Sequence, residues 1–264
     1  MPGNYINTTV KPGGYAELSI QREPVNSMNL DMWEQLTAAL DKLEQDPKVR
    51  GVIFHSGLTR PVFTAGNDIK ELYAPATSGD RYLKFWSISN KFLARLSNSP
   101  LLTVAAIKGA CPAGGTCLAM ACDFRIITEN GSMGLNEVAL GIPVPAKWVK
   151  LMSTIIGQGR ADKMCQFGKM VGSKEALAIG FVDKVVADEE TLMPTAQKTI
   201  EQLLRLPDQG RQLTKNGLRG DLANEWGDAE WLKFEAENAW TMLSHPKTVK
   251  ALEGVLARLS KAKI

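Results

Sequence analysis

Apolar and polar residues alternate near the N-terminus and then recur with the spacing of a helix. Two short β-like runs, INTTV and YAELSI within residues 6–20, flank the turn sequence KPGG and predict a hairpin. The next apolar positions predict a helix over residues 30–45, with Asn29 as its N-cap and a stop at Pro47. GVIFHS, which begins at Gly51, follows as a buried strand. The apolar face of the predicted helix consists of Leu30, Trp33, Leu36, Leu40 and Leu43.

The middle of the chain repeats the order of a strand, a corner of small residues and a helix. In residues 61–72, a strand-like VFT leads into the Ala65-Gly66 corner and a short polar helix that starts near Asn67. Residues 80–97 predict an amphipathic helix. Residues 103–126 contain a buried strand, the turn GACPAGG, an apolar helix and a second strand. Two such units predict an α/β fold built as a spiral of β/α repeats.

The C-terminal part of the chain is almost wholly helical. Helices are predicted over residues 146–156 and 160–168, a short helix follows in SKEALAIG, and FVDKVV predicts a strand. We expect residues 1–195 to form the β/α core and residues 196–264 a helical region that packs on the core or on another subunit. The apolar positions of that region include Leu203, Leu204, Leu213, Leu218, Leu222, Trp231, Phe234, Trp240 and Leu243.

The turn GACPAGG places two glycines at the start of a helix whose sequence is apolar on every side. A helix that is apolar all round is buried, so its N-terminus is expected to lie inside the protein. Gly114 and Gly115 would let a ligand approach the first backbone N–H groups, which have no intrahelical partners and would suit a developing oxyanion. The alternative is a tight turn that needs small residues only for packing.

Composition and charge narrow the classes of protein. The chain has 264 residues, 44% of them hydrophobic, and a net charge of +3, which does not favour nucleic-acid binding. No apolar run approaches the ~18 residues of a membrane-spanning helix, and the first residues do not resemble a secretory signal or transit peptide. The four cysteines form no CxxC pair, so we expect buried free thiols and no metal site. A nucleophilic Cys117 partnered by a distant histidine is the alternative.

One acidic residue stands out among apolar neighbours. Glu137 lies between Leu135, Val138 and Ile142, where desolvation would raise the pKa of its carboxyl and suit it to general base catalysis. Backbone N–H groups from the two corners could converge on one carbonyl oxygen beside it. A helix cap or a surface charge is the alternative interpretation of Glu137.

Five segments in the same order, PVNSMN, VFTAGNDI, GACPAGG, CDFRI and GLNEVALGI, resemble the crotonase (enoyl-CoA hydratase/isomerase) superfamily over roughly residues 5–260. Within it they are most similar to the mitochondrial-type Δ3,Δ2-enoyl-CoA isomerases. The resemblance implies a crotonase-like spiral of ββα repeats with a C-terminal helical trimerisation region. It also implies an acyl-CoA substrate, a homotrimer and no cofactor, since coenzyme A is part of the substrate.

The resemblance implies a role for each site residue. Glu137 would be the catalytic carboxylate, and the N–H groups of Ala65 and Gly114 would form the oxyanion hole. The implied substrate-binding residues are Ala65, Gly66, Asn67, Asp68, Ile69, Gly114 and Asn136. The implied reaction converts 3-enoyl-CoA to trans-2-enoyl-CoA in the β-oxidation of unsaturated fatty acids, with one glutamate carrying a proton from C2 to C4.

Hydratases of the superfamily use two glutamates, and the second would fall at Cys117 in this chain. This departure favours an isomerase over a hydratase. A hydratase, a hydrolase, or a non-catalytic member that binds acyl-CoA or RNA are the alternatives.

Three lysines, Lys70, Lys247 and Lys250, are candidates for binding the CoA phosphates, with a solvated surface role as the alternative. The family points to the mitochondrial matrix, whereas the last three residues, 262–264, resemble a peroxisomal address.

Overall fold

A computed structural model describes residues 3–261 and has a mixed α/β architecture. The predicted C-terminal tripeptide signal lies outside the described residues. The strands are β1 (Ile6–Lys11), β2 (Tyr15–Ile20), β3 (Gly51–Ser56), β4 (Leu102–Ile107), β5 (Ala110–Pro112), β6 (Phe124–Thr128), β7 (Ser132–Gly134), β8 (Val171–Gly172) and β9 (Lys184–Val186). The helices are α1 (Leu30–Gln45), α2 (Ile69–Leu72), α3 (Gly79–Ser97), α4 (Gly114–Ala121), α5 (Ala146–Ile156), α6 (Gln158–Gln166), α7 (Ser173–Ala178), α8 (Glu189–Leu203), α9 (Asp208–Gly227), α10 (Ala229–Leu243) and α11 (Pro246–Lys261).

The strands form two sheets. Six lie in the order β1-β2-β3-β4-β6-β9, where β1 and β2 are the predicted antiparallel hairpin and the other pairs are parallel. The second sheet has the order β5-β7-β8. Helix α1 begins and ends where the hydrophobic pattern predicts, and the Asn29 side chain accepts the predicted cap hydrogen bond from Met32. The VFT segment forms no strand and makes only an isolated bridge at Val62.

The large sheet separates two apolar cores, because successive residues of a strand face opposite sides. In β4, Ala105 and Ile107 belong to the larger core, which also holds the side chains of α1, α3 and α4. Val104 and Ala106 face the smaller core beneath α8. Helix α8 runs continuously across residue 195, so the predicted boundary between core and helical region falls inside a helix packed on the sheet.

Two polar centres, one half-buried and one buried, attach the C-terminal helices to the core. Asp123 accepts hydrogen bonds from Lys215 at 2.8 Å and Arg219 at 3.0 Å, both on α9. Asn90 on α3 accepts from the indole N–H groups of Trp148 and Trp226, which ties α5 and α9 to α3. The helical region therefore packs on the core, as one of the two predicted arrangements.

Not every predicted apolar position of the helical region is covered. Leu213, Leu218 and Phe234 are exposed, with 80% of Leu218 accessible. The prediction allowed packing on the core or on another subunit, and these three side chains do not pack on the core, because the buried faces of α9 and α10 point elsewhere. No helix within residues 3–261 is both long and apolar enough to cross a bilayer.

Candidate active site

The second sheet brings Gly114 and Glu137 to the same place. Strands β5 and β7 are parallel, and Pro112 pairs with Gly134 at their ends. Gly114 lies two residues after the end of β5, and Glu137 lies three residues after the end of β7. Since parallel strands end at the same edge of a sheet, the start of α4 and the turn at Glu137–Leu140 lie side by side.

The corner before α4 has an unusual backbone. Ala113 has φ +51° and ψ −126°, a region that non-glycine residues rarely adopt. Its N–H donates to the Gly134 carbonyl at 2.8 Å, and the Gly134 N–H donates to the Thr116 hydroxyl at 2.8 Å. These bonds fix the corner to β7 and leave the N–H of Gly114, at the first position of the helix, without an acceptor in the described chain.

The corner of residues 65–68 is held against the segment that precedes α1. The Met28 N–H donates to the Gly66 carbonyl at 2.8 Å, and the Asp68 N–H donates to the Met28 carbonyl at 2.9 Å. The Asn67 side chain accepts a hydrogen bond of 3.1 Å from the indole N–H of Trp33. Gly66 has φ +85°, and a Cβ there would lie 3.1 Å from the Cβ of Ala113, so the two corners touch.

The structure corrects the predicted identity of one of the two oxyanion-hole donors. The N–H of Ala65 donates to the Val25 carbonyl at 2.9 Å, so it is not available to a substrate. The Asn67 N–H has no acceptor within residues 3–261. A Cβ built on Gly114 would lie 3.3 Å from the Asn67 backbone nitrogen, which shows how near the free N–H groups of Asn67 and Gly114 are. The small residues at the corner signalled the site but not which N–H faces it.

Glu137 is the buried carboxyl beside this pair. Its side chain is 5% exposed, and within residues 3–261 neither carboxyl oxygen has a hydrogen-bond partner. Burial raises the pKa of Glu137 from its usual value near 4.5 to about 7. The Asn136 side-chain oxygen next to it is also buried without a partner in the described chain. A surface charge or an ordinary helix cap would not have these properties.

A cleft of about 1320 Å³ connects these groups. Ala65, Asn67, Asp68, Ile69, Gly114, Asn136 and Glu137 all line it. Gly66 is buried in the corner and acts through its backbone, as its bond to Met28 shows.

The cationic lining of the cleft differs in part from the sequence prediction. Lys70 lines it and is exposed, whereas Lys247 and Lys250 lie elsewhere on α11. Arg22 and Arg60 also line it, and Arg22 forms an ion pair of 2.9 Å with Asp68. Neither arginine is marked by a sequence pattern, because both lie in loops that only the fold brings to the cleft.

The cysteines are buried free thiols, as predicted. Burial raises the pKa of the Cys117 thiol well above its usual value, with the Glu137 carboxyl adding to the effect. A thiolate is the nucleophilic form of cysteine, so this environment opposes a nucleophilic Cys117. The same position offers no acid or base with a pKa near neutrality.

Two backbone N–H groups without an acceptor in the described chain thus lie beside a buried carboxyl, an arrangement suited to a carbonyl oxygen that gains negative charge. The chain belongs to the enoyl-CoA hydratase/isomerase family, whose model matches residues 11–262. It is 37% identical to the human protein "Enoyl-CoA delta isomerase 1, mitochondrial" over 95% of this chain and 82% of the relative.

The chain is also similar to a solved isomerase structure and to a hydratase. The crystal structure of human mitochondrial Δ3-Δ2-enoyl-CoA isomerase matches with a TM-score of 0.92 and 35% identity, covering 99% of this chain and 100% of that one. This match confirms the predicted fold class. The short-chain-enoyl-CoA hydratase of Clostridium acetobutylicum is 31% identical over 86% of this chain and 85% of the relative.

Proposed function

We propose that this protein is a Δ3,Δ2-enoyl-CoA isomerase, which converts 3-enoyl-CoA thioesters to trans-2-enoyl-CoA. The observation that carries the proposal is Glu137, a carboxyl without a partner in the described chain and with a pKa of about 7, beside two unpaired backbone N–H groups. A base with a pKa near the working pH is suited to remove a weakly acidic proton and to return it. The similarity to delta isomerases supports the same reaction.

In the proposed mechanism the thioester carbonyl oxygen lies between the N–H groups of Asn67 and Gly114. The Glu137 carboxylate removes a proton from C2, and the electron pair of that bond delocalises into a dienolate whose oxygen accepts both hydrogen bonds. The Glu137 carboxyl then donates the proton to C4, so that the double bond moves from C3–C4 to C2–C3. Donors positioned for the developing negative charge stabilise the transition state more than the substrate. The reaction requires no cofactor beyond the CoA group of the substrate.

Hydration is the second candidate, because a hydratase is among the relatives. Addition of water to trans-2-enoyl-CoA needs one group to activate water and one to protonate C2. The second carboxylate of the hydratases would fall at Cys117, where this chain has a buried thiol whose pKa is strongly raised. A proton shuttle needs only Glu137, and the site therefore favours isomerisation.

We expect the protein to isomerise 3-enoyl-CoA esters and to hydrate crotonyl-CoA at least roughly 10²-fold more slowly, since a missing general acid or base costs about that much. Absorbance of the conjugated thioester measures both reactions on the same enzyme preparation. Hydration at a rate that matches isomerisation would contradict the assignment and favour the hydratase.

The proposed biological role is the β-oxidation of unsaturated fatty acids in mitochondria. It is supported by the similarity to relatives that are named mitochondrial delta isomerases. The cationic residues of the cleft, Arg22, Arg60 and Lys70, are proposed to face the phosphates of CoA.

We further propose a homotrimer or a dimer of trimers. The support is a set of large apolar side chains on α9 and α10, Leu213, Leu218 and Phe234, which are exposed in the single chain and could be buried between subunits. Multi-angle light scattering is expected to give three or six times the chain mass of 28.8 kDa. A stable monomer across micromolar concentrations would contradict the proposal.

A further inference from the structure

A half-buried carboxyl, that of Glu235 on α10, also lines the cleft. Its neighbours on this wall are aromatic and come from two other helices, Tyr82 and Trp86 on α3 and Trp148 on α5. We call these three aromatic residues and Glu235 the aromatic wall. Neither the sequence patterns nor the proposed proton shuttle uses Glu235.

Trp86 holds Glu235 in a defined position. The indole N–H of Trp86 donates to one carboxyl oxygen at 3.0 Å. The Trp86 ring is itself stacked on Tyr82, with ring centroids 5.9 Å apart, and on Trp148, at 6.1 Å. The other oxygen of Glu235 accepts no hydrogen bond from the described part of the chain, although Glu235 belongs to the cleft surface.

Partial burial shifts the pKa of the Glu235 carboxyl. Desolvation raises the pKa of Glu235, while the bond from Trp86 and the charge of Lys147 oppose the rise. The carboxyls of Glu137 and Glu235 both raise the pKa of the Cys117 thiol, although desolvation by burial is the larger cause.

The cleft has a cationic part and an aromatic part, and this difference indicates which portion of an acyl-CoA thioester contacts the aromatic wall. Phosphates are attracted to the guanidinium and ammonium groups of Arg22, Arg60 and Lys70, whereas an acyl chain packs against aromatic rings. An acyl chain that covers Glu235 would take its second oxygen out of water. A methylene chain cannot replace the lost hydrogen bonds, and leaving a buried carboxyl unsatisfied is costly.

We propose that Glu235 is a specificity-determining residue that favours acyl chains carrying a hydrogen-bond donor, such as a hydroxyl group, over all-methylene chains of the same length. The inference rests on the acyl-CoA binding of the proposed function. A hydroxyl placed at the aromatic wall would donate to the second oxygen of Glu235, while Trp86 continues to donate to the first.

Binding of saturated acyl-CoA esters tests this without turnover. Pairs of equal length from six to fourteen carbons, one ending in a methyl group and one in a terminal hydroxyl, are compared by isothermal titration calorimetry. At the length that reaches Glu235, we expect the hydroxylated ester to bind roughly 10- to 100-fold more tightly than its partner, the range for a hydrogen bond to a charged group.

Three variants test whether the preference for the hydroxylated ester depends on Glu235. Glu235→Leu is expected to remove it and to strengthen binding of the methyl-ended ester. Glu235→Gln keeps an acceptor for Trp86 and is expected to retain a weaker preference, since its bond to the hydroxyl is uncharged. Glu237→Gln changes an exposed carboxyl on the same helix that does not line the cleft, and it is expected to behave as wild type. Thermal unfolding of each variant confirms that it is folded.

The outcomes separate this inference from the proposed function. Binding of acyl-CoA with no preference at any length, or a preference that survives in Glu235→Leu, would overturn the role of Glu235. Absence of binding to any acyl-CoA would overturn the proposed function, and this inference with it.

Discussion

Replacing Glu137 with glutamine is expected to lower isomerase turnover by roughly 10²–10⁴-fold, with little change in binding of a saturated acyl-CoA. Glutamine preserves the size of the side chain but cannot accept and return a proton. In wild type, kcat/KM is expected to rise with pH and to level off above about 7, because the base must be ionised and its pKa is raised to about 7. Steady-state kinetics across pH 5–9 measures both effects.

The pH dependence of thermal stability provides a control for the Glu137→Gln variant. The folded-state pKa of about 7 lies above the usual 4.5, so the stabilisation from protonated Glu137 is complete below pH 4.5 and is lost as the pH rises through 7. The neutral glutamine avoids this loss, and the variant is expected to melt at a higher temperature than wild type above pH 7. Near-wild-type turnover in a folded Glu137→Gln variant would show that another group is the base.

Replacing Gly114 with alanine is expected to lower kcat by roughly 10²-fold, about the cost of losing one oxyanion donor. The added Cβ would lie 3.3 Å from the Asn67 nitrogen and from its side chain, so it would displace one N–H group and narrow the space for the carbonyl oxygen. Single-turnover kinetics with a 3-enoyl-CoA ester separates this loss from any change in binding.

Gly159→Ala is the matched control for Gly114→Ala. Gly159 lies in α6, and a Cβ there would meet nothing within 4 Å. We expect this variant to keep wild-type turnover. If Gly114→Ala also keeps it, the oxyanion does not lie between Asn67 and Gly114.

The elements of the fold were accessible from the sequence because their signals are local. The spacing of apolar residues and the Asn29 cap located α1, and the strand β4 is a continuous apolar run bounded by a glycine. Glu137 was accessible for a similar reason, since its neighbours in the chain are apolar and predicted its burial.

The direction of a backbone N–H group depends on contacts that are distant in sequence. The resemblance assigned the oxyanion N–H to Ala65, whereas the fold pairs that N–H with the Val25 carbonyl, about forty positions earlier in the chain. Glu235 was missed because nothing beside it in the chain marks it. It becomes a cleft residue only when α10 packs against α3 and its carboxyl meets Trp86.

The central claim is that the Glu137 carboxyl itself carries the proton from C2 to C4. A 3-enoyl-CoA ester deuterated at C2, converted by wild-type enzyme in ordinary water under single-turnover conditions, tests it most directly by mass spectrometry and NMR of the product. A carboxyl that is 5% exposed is sheltered from exchange, so part of the deuterium is expected at C4. A product whose new C4 hydrogen comes wholly from solvent would contradict the single-carboxyl shuttle.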